Sequence, residues 1–310
     1  MRMNPATVFF LFALLTGNPL HTFPSARLPE KPKLKILTTV FPLLEFARET
    51  AGERGEVGLL LPAGAEVHTW QPKVSDVRKL ASTDVFIYIG EGLEPWAADL
   101  LRGAARRDLK IFEVGRELGL SLADPEGDHH SVSVSRDPHV WLDFGMDQVL
   151  VDRLRDLFRA LDPEEAGLFE RNASHYKEKL RRLDEKCRTT FAACRQKTFF
   201  FGGHAAFGRF ADRYGLEQVA VYGLSPDAAP TPKELAGIMD EAKKRKITTV
   251  FFEPGVSDKI ARLIAAETGA DVRLLNPGHN LIRSQIEANV TFIDLMESNL
   301  ESFKHGLSCR

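Results

Sequence analysis

The chain has 310 residues, 44% of them hydrophobic and 27% charged, with a formal net charge of −2. That length exceeds what one compact core usually holds, so two domains or lobes, each with its own core, are expected. The near-neutral balance argues against nucleic-acid binding and against a strong charge field aimed at an anionic membrane.

Arg2 precedes the apolar run from Ala6 to Leu15, which breaks at Gly17-Asn18-Pro19. The run is too short to span a bilayer, which takes about 20 residues. It reads as the apolar region of a secretory signal peptide. Pro24, Pro29 and Pro32 follow it and suit a tether rather than a packed element. Residues 1–30 are therefore expected to be a signal peptide and tether. No cysteine occurs before Cys187, so no lipidation cysteine follows the run. The mature protein is expected to be periplasmic, soluble and not lipid-anchored.

Strands are predicted at Lys35–Val40, Glu56–Leu61, Val85–Ile89 and Leu109–Glu113, with helices at Leu43–Ala51, Ser75–Ala81 and Trp96–Ala104 between them. Strands alternating with helices imply βαβ units and a parallel sheet. The rhythm then changes. Asp147–Leu161 reads as one amphipathic helix, and Asp162-Pro163 as the N-cap and first residue of a second, running to about Phe191. A helix of that length between two α/β halves reads as a spine. The α/β rhythm resumes with strands at Lys197–Phe201, Glu217–Tyr222, Thr248–Glu253 and Val272–Leu275. The intervening helices are Ala205–Tyr214, one opened by a capping box from Thr231 to Glu234, and Asp258–Thr268. A final helix is predicted over Gln285–Phe303. Residues 35–160 thus form an N-terminal lobe, 161–193 a linking helix and 197–310 a C-terminal lobe.

Cys187 and Cys194 would stand about 10 Å apart on a continuous helix, beyond disulfide reach. A bridge between them requires the helix to end near Thr190. Cys309 lies at the C-terminus, and the odd count leaves at least one thiol free or paired between chains.

Three histidines sit in well-formed local contexts far apart in sequence: His68 in GAEVHTWQP, His139 in DPHVWLD and His204 in FGGHAAFGRF. Neutral imidazole is the commonest protein ligand for borderline transition metals. Distant segments that converge make a receptor or catalytic metal site, whereas a structural zinc finger uses close-spaced pairs. His129 and His130 lie in a polar loop, and His175 and His305 on charged helices. Asp143, near His139, could orient its imidazole through the second ring nitrogen.

Taken in order, TTVFPLLEFA, LLPAGAEVHTWQPKVSDVRKLASTDVFIYIGEGLEPW, DPHVWLD, the long helix, GGHAAFGRFADRYGL, GLSPDAAPTPKELAGIMDEAKKRK and VFFEPGVSDKIARLIAAETGADV resemble the metal-binding substrate receptors of zinc/manganese-type ABC importers. The resemblance covers about Lys35 to Leu307. It implies two α/β lobes, each a mainly parallel sheet flanked by helices, joined by one long rigid helix, with the metal in the cleft. It implies ligands at His68, His139 and His204, and delivery to a membrane permease with its ATPase by a receptor acting as a monomer. The family's fourth ligand is commonly an aspartate, at the position held here by Asn276. An amide is neutral and a poorer ligand than a carboxylate. Three completions are open: Asn276 itself or through water, His279 three residues on, or a water or nearby carboxylate. Glu66 and Glu253 are candidates for charge compensation.

Three imidazoles favour zinc, because manganese prefers more oxygen; manganese and ferrous iron follow it. The transported ligand is thus expected to be Zn2+, with no catalytic cofactor. The competing class is a zinc hydrolase, since three histidines with an open position are also a catalytic pattern. The sequence has no HExxH, GxSxG or Walker A motif to support it.

Overall fold

The computed structural model describes residues 31–104, 106–122, 136–224, 230–254 and 257–310. The expected signal peptide and tether, and the His129/His130 loop, lie outside the described residues. Among those described, no helix is long and apolar enough to cross a membrane.

The first half runs β1 (Leu34–Thr38), α1 (Phe41–Ala51), β2 (Gly55–Leu59), α2 (Val74–Ala81), β3 (Val85–Tyr88), α3 (Ala97–Ala104), β4 (Lys110–Glu113) and the short α4 (Val114–Glu117). Two long helices follow, α5 (Phe144–Leu161) and α6 (Ala166–Ala192). The second half comprises β5 (Thr198–Phe201), α7 (Gly208–Tyr214), β6 (Glu217–Ala220), α8 (Pro232–Lys244), β7 (Thr249–Phe252), α9 (Lys259–Thr268) and β8 (Asp271–Leu274). It closes with α10 (Arg283–Glu287) and α11 (Phe292–Gly306).

The strands form two four-stranded sheets, ordered β2-β1-β3-β4 and β6-β5-β7-β8, with every pairing parallel. Parallel strands covered on both faces read as continuous apolar runs, as in VFIY of β3 and TFFF of β5. Strand order reverses between β1 and β3 and again between β5 and β7. Such a reversal opens a crevice at the carboxyl ends of the strands, and the candidate metal ligands cluster there.

The 27 residues of α6 span about 40 Å at 1.5 Å per residue. Its buried apolar residues, Phe169, Ala173, Tyr176, Leu180, Leu183, Cys187 and Phe191, recur every three or four positions and form one stripe. That stripe helps to join the halves. An aromatic chain runs from Phe46 of α1 through Phe292, Phe144, Phe210 and Phe303 to Phe199 of β5, with successive centroids 5.0–6.2 Å apart. The expectation of a separate core for each lobe therefore fails, because a single core runs through both halves. A smaller cluster covers the other face of the second sheet. Alternation along β5 places Phe199 and Phe201 in the main core and Phe200 in the smaller one.

Three local expectations change. Asp162 does not cap the long helix; Arg54 binds its carboxylate at 2.9 Å, Pro163–Glu165 form a 3₁₀ turn, and α6 starts at Ala166. The last helix is broken at Asn289, whose φ is +50°, and restarts at Thr291, whose hydroxyl accepts from the Asp294 N–H. Finally, α6 stays helical through Ala192, keeping Cys187 and Cys194 apart. The disulfide instead joins Cys194 to Cys309 and leaves Cys187 buried and free.

Candidate metal centre

His68, His204 and Glu253 follow the carboxyl end of a strand or stand in a loop leading from one, whereas His139 comes from the segment that enters α5. His68 lies in the loop between β2 and α2. The Trp96 indole donates to the Val67 carbonyl at 2.9 Å and pins that loop, while the His68 N–H donates to Glu66 Oε1 at 3.2 Å. His139 enters a 3₁₀ turn, Val140–Leu142, that leads into α5. His204 stands three residues past β5, and Glu253 immediately follows β7, the neighbouring strand.

The three histidines predicted as ligands meet. Ring centroids are 5.5 Å apart for His68–His139, 5.5 Å for His68–His204 and 5.1 Å for His139–His204. His139 Nε2 and His204 Nε2 are 3.2 Å apart. Relative exposures of 7%, 0% and 1% make the triad an enclosed nitrogen site. The ligand atoms of His68, His139 and His204 lie within 4.8 Å of one another, as do those of a second group, His204, Glu253 and His279.

Two buried carboxylates stand behind the triad. Asp137 Oδ1 takes both the backbone N–H and Nδ1 of His139, at 2.9 and 2.7 Å. Glu253 Oε2 lies 3.0 Å from His204 Nδ1. Such contacts fix the ring and raise its basicity as a ligand. They also place negative charge beside a dication that three neutral imidazoles would leave uncompensated. Two glycines make room for them: a Cβ on Gly208 would come within 2.7 Å of Asp137 Oδ2, and one on Gly203 within 2.8 Å of Glu253 Oε2.

Three buried atoms of the site have no hydrogen-bond partner among the described residues: His68 Nε2, His279 Nδ1 and Glu253 Oε1. Leaving such groups unpaired costs about 1–3 kcal/mol each, a cost that coordination would offset. Burial, together with the facing histidines, holds the His68 imidazole well below its ordinary value. Burial also lowers His139, against the pull of Asp137. His204 is opposed by burial yet ends above its ordinary value, because the Glu253 carboxylate beside it outweighs that effect. Glu253 is correspondingly held below the usual carboxylate range by His204 and His279, despite its burial. Burial lowers His279 as well.

Asn276 is buried, but its Oδ1 accepts from the Gly278 N–H at 2.8 Å, and Asn299 brackets its backbone from both sides at 2.8 and 2.7 Å. It shapes the turn that carries His279. That turn clasps the first half of the chain. Trp141 Nε1 donates to Pro277 O, the Phe41 N–H to His279 O, the Gly64 N–H to Leu281 O, and Asn280 Nδ2 to the carbonyls of Pro62 and Ala65. Asp143 does not orient His139; it caps α5 through the Gly145 and Met146 N–H groups and pairs with Arg213 at 2.7 Å. The residue that orients His139 is Asp137, whose signal was its place two residues before the histidine on a tight turn. His175 and His305 are exposed on helices, away from the site.

Residues 36–306 match the family described as zinc-uptake complex component A, periplasmic. The chain is 36% identical over 278 residues to the zinc-binding lipoprotein AdcA of Streptococcus pneumoniae, covering 88% of this chain and 55% of that protein. It is 32% identical to the high-affinity zinc uptake system protein ZnuA of Bacillus subtilis, covering 89% and 88%. Among solved structures, the Zn(II)-bound ZnuA-like domain of S. pneumoniae AdcA superposes with a TM-score of 0.74 at 35% identity, covering 89% of this chain and 99% of that one. The chain thus spans about half the length of the first curated relatives it matches.

Proposed function

The chain belongs to the family of zinc-uptake complex component A, and we propose from that premise that it captures one zinc ion outside the cytoplasm and delivers it to a membrane permease driven by a cytoplasmic ATPase. His68, His139 and His204 hold the ion in this reading. The observation that carries it is the buried imidazole triad with a carboxylate behind two of its members. Zinc tolerates an all-nitrogen shell better than manganese or ferrous iron. His279, with its buried and unpartnered Nδ1, is assigned the fourth position in preference to Asn276, whose side-chain oxygen is already engaged. A metal-uptake family makes this a binding protein, not the hydrolase that three histidines alone left open.

We take the receptor to act as a monomer that is not lipid-anchored. The S. pneumoniae relative is named a lipoprotein. Recovery of the protein in the membrane fraction after osmotic release would reject the unanchored form. The continuous core makes rigid opening of the halves expensive, so release is assigned to movement of the 276–281 clasp.

Competitive titration of the metal-stripped protein with zinc, manganese and ferrous iron, followed by elemental analysis, tests this reading. One tightly bound equivalent of zinc, with the other two much weaker, is expected. A preference for manganese, or no tight binding, would reject it.

A further inference from the structure

Two members of the second ligand group, Glu253 and His279, have a property that the inner triad lacks: they line open space, with His204 behind them. A cavity of about 70 Å³ is walled among the described residues by Gly64, Glu66, Glu253, Asn276, His279 and their neighbours; His68, His139 and His204 do not line it. At about 30 Å³ per liquid water, it has room for a partly hydrated ion. Glu253 is the informative residue. Its side chain is 1% exposed, and Oε2 is occupied by His204, yet Oε1 has no hydrogen-bond partner. Oε1 lies 3.9 Å from His279 Nδ1, which is unpartnered too. On the far side of the ring, His279 Nε2 stands 3.7 Å from Glu66 Oε2.

We propose that His204, Glu253 and His279 form an outer station that holds the incoming dication before it reaches the enclosed triad. This rests on the zinc-receptor reading and adds a step to it. The two stations differ in chemistry. The outer one offers a carboxylate oxygen, with a second carboxylate, Glu66, at its mouth, and so attracts a hydrated dication of any softness. The inner one is all nitrogen and selects among them. His204 belongs to both groups, so both cannot be filled at once. The ion passes inward by exchanging the Glu253 oxygen for His68 and His139 while His204 and His279 stay bound. Glu253 is left beside His204 as the carboxylate that balances the charge.

The test uses cobalt(II) as the probe in the full chain carrying His68→Ala and His139→Ala, with the wild-type protein titrated in parallel. The double variant is expected to bind one cobalt per chain more weakly than the wild type. Adding Glu253→Gln should weaken that binding at least tenfold. A double variant that folds and binds no cobalt, or binds it equally well with Glu253→Gln, overturns the outer station while leaving the receptor reading intact. A wild-type protein that binds no metal rejects the receptor reading itself. If the double variant does not fold, wild-type kinetics decide. Trp141, 5.4 Å from His139, reports arrival at the inner triad by fluorescence. Its rate should saturate with rising zinc, since transfer between stations is unimolecular; a rate that stays proportional to zinc overturns the proposal.

Discussion

Replacing Asp137 with asparagine keeps the shape of the side chain and removes its charge. Oδ1 accepts two hydrogen bonds from His139, and Oδ2 faces the Arg209 N–H at 3.3 Å. Arg209 also donates through Nε to the Asp137 carbonyl at 2.6 Å. An amide has one oxygen for these two sides. Whichever way it turns, its NH₂ meets a donor, in a residue only 2% exposed. A buried donor left unpaired costs about 1–3 kcal/mol of stability. The metal site loses separately: removing the carboxylate behind a histidine ligand typically weakens binding about 10–100-fold, or about 1.4–2.7 kcal/mol. Competitive zinc titration measures the second loss, and urea denaturation of the metal-free protein the first. If Asp137→Asn bound zinc within about twofold of wild type while unfolding normally, the idea that Asp137 tunes His139 would be refuted.

The remaining predictions concern protons and the chain's ends. In the metal-free protein His204 lies above the ordinary 6.5 while His68 and His139 lie below theirs. Zinc affinity should therefore be flat at high pH and fall about tenfold per pH unit once His204 protonates, with one proton released per zinc; a profile without that slope through the histidine range would contradict the arrangement. Asp147 is buried, neither of its oxygens has a partner among the described residues, and burial raises it well above 3.8. The folded state then holds a proton that the unfolded state releases, so stability falls as pH rises above 3.8 toward the folded value. Asp147→Asn should remove that slope and stabilise the protein at neutral pH, as read by denaturation across pH. Cys309→Ser opens a bridge across 115 residues and should cost about 2–5 kcal/mol of stability. Zinc affinity should barely change, because neither cysteine belongs to either ligand group; a large loss of affinity would tie the C-terminus to the site.

Short-range signals carried much of this structure, and the failures have a common cause. The apolar runs at Val85–Ile89 and Lys197–Phe201 are strands because both their faces are buried, which leaves a continuous pattern. His68 and His204 were legible because each sits in a loop between recognisable elements. The pairing of Cys194 with Cys309, the Asn280 clasp on Pro62 and Ala65, and the Phe46-to-Phe199 aromatic chain join residues more than a hundred positions apart. Such contacts leave no periodicity to read. Asp143 reads from the sequence as a candidate partner of His139, but it stands at the start of α5, where its carboxylate satisfies free N–H groups instead. The break at Asn289 was masked by the apolar residues on either side of it.

The central claim is that one zinc ion sits among three imidazoles drawn from both halves of the chain. Anomalous diffraction at the zinc edge from crystals of the loaded protein tests it most directly. A single peak bonded to nitrogens of His68, His139 and His204 at about 2.0–2.1 Å is expected. A peak that lacks any one of these three, or that lies on Glu253 and His279 alone at full occupancy, would contradict it.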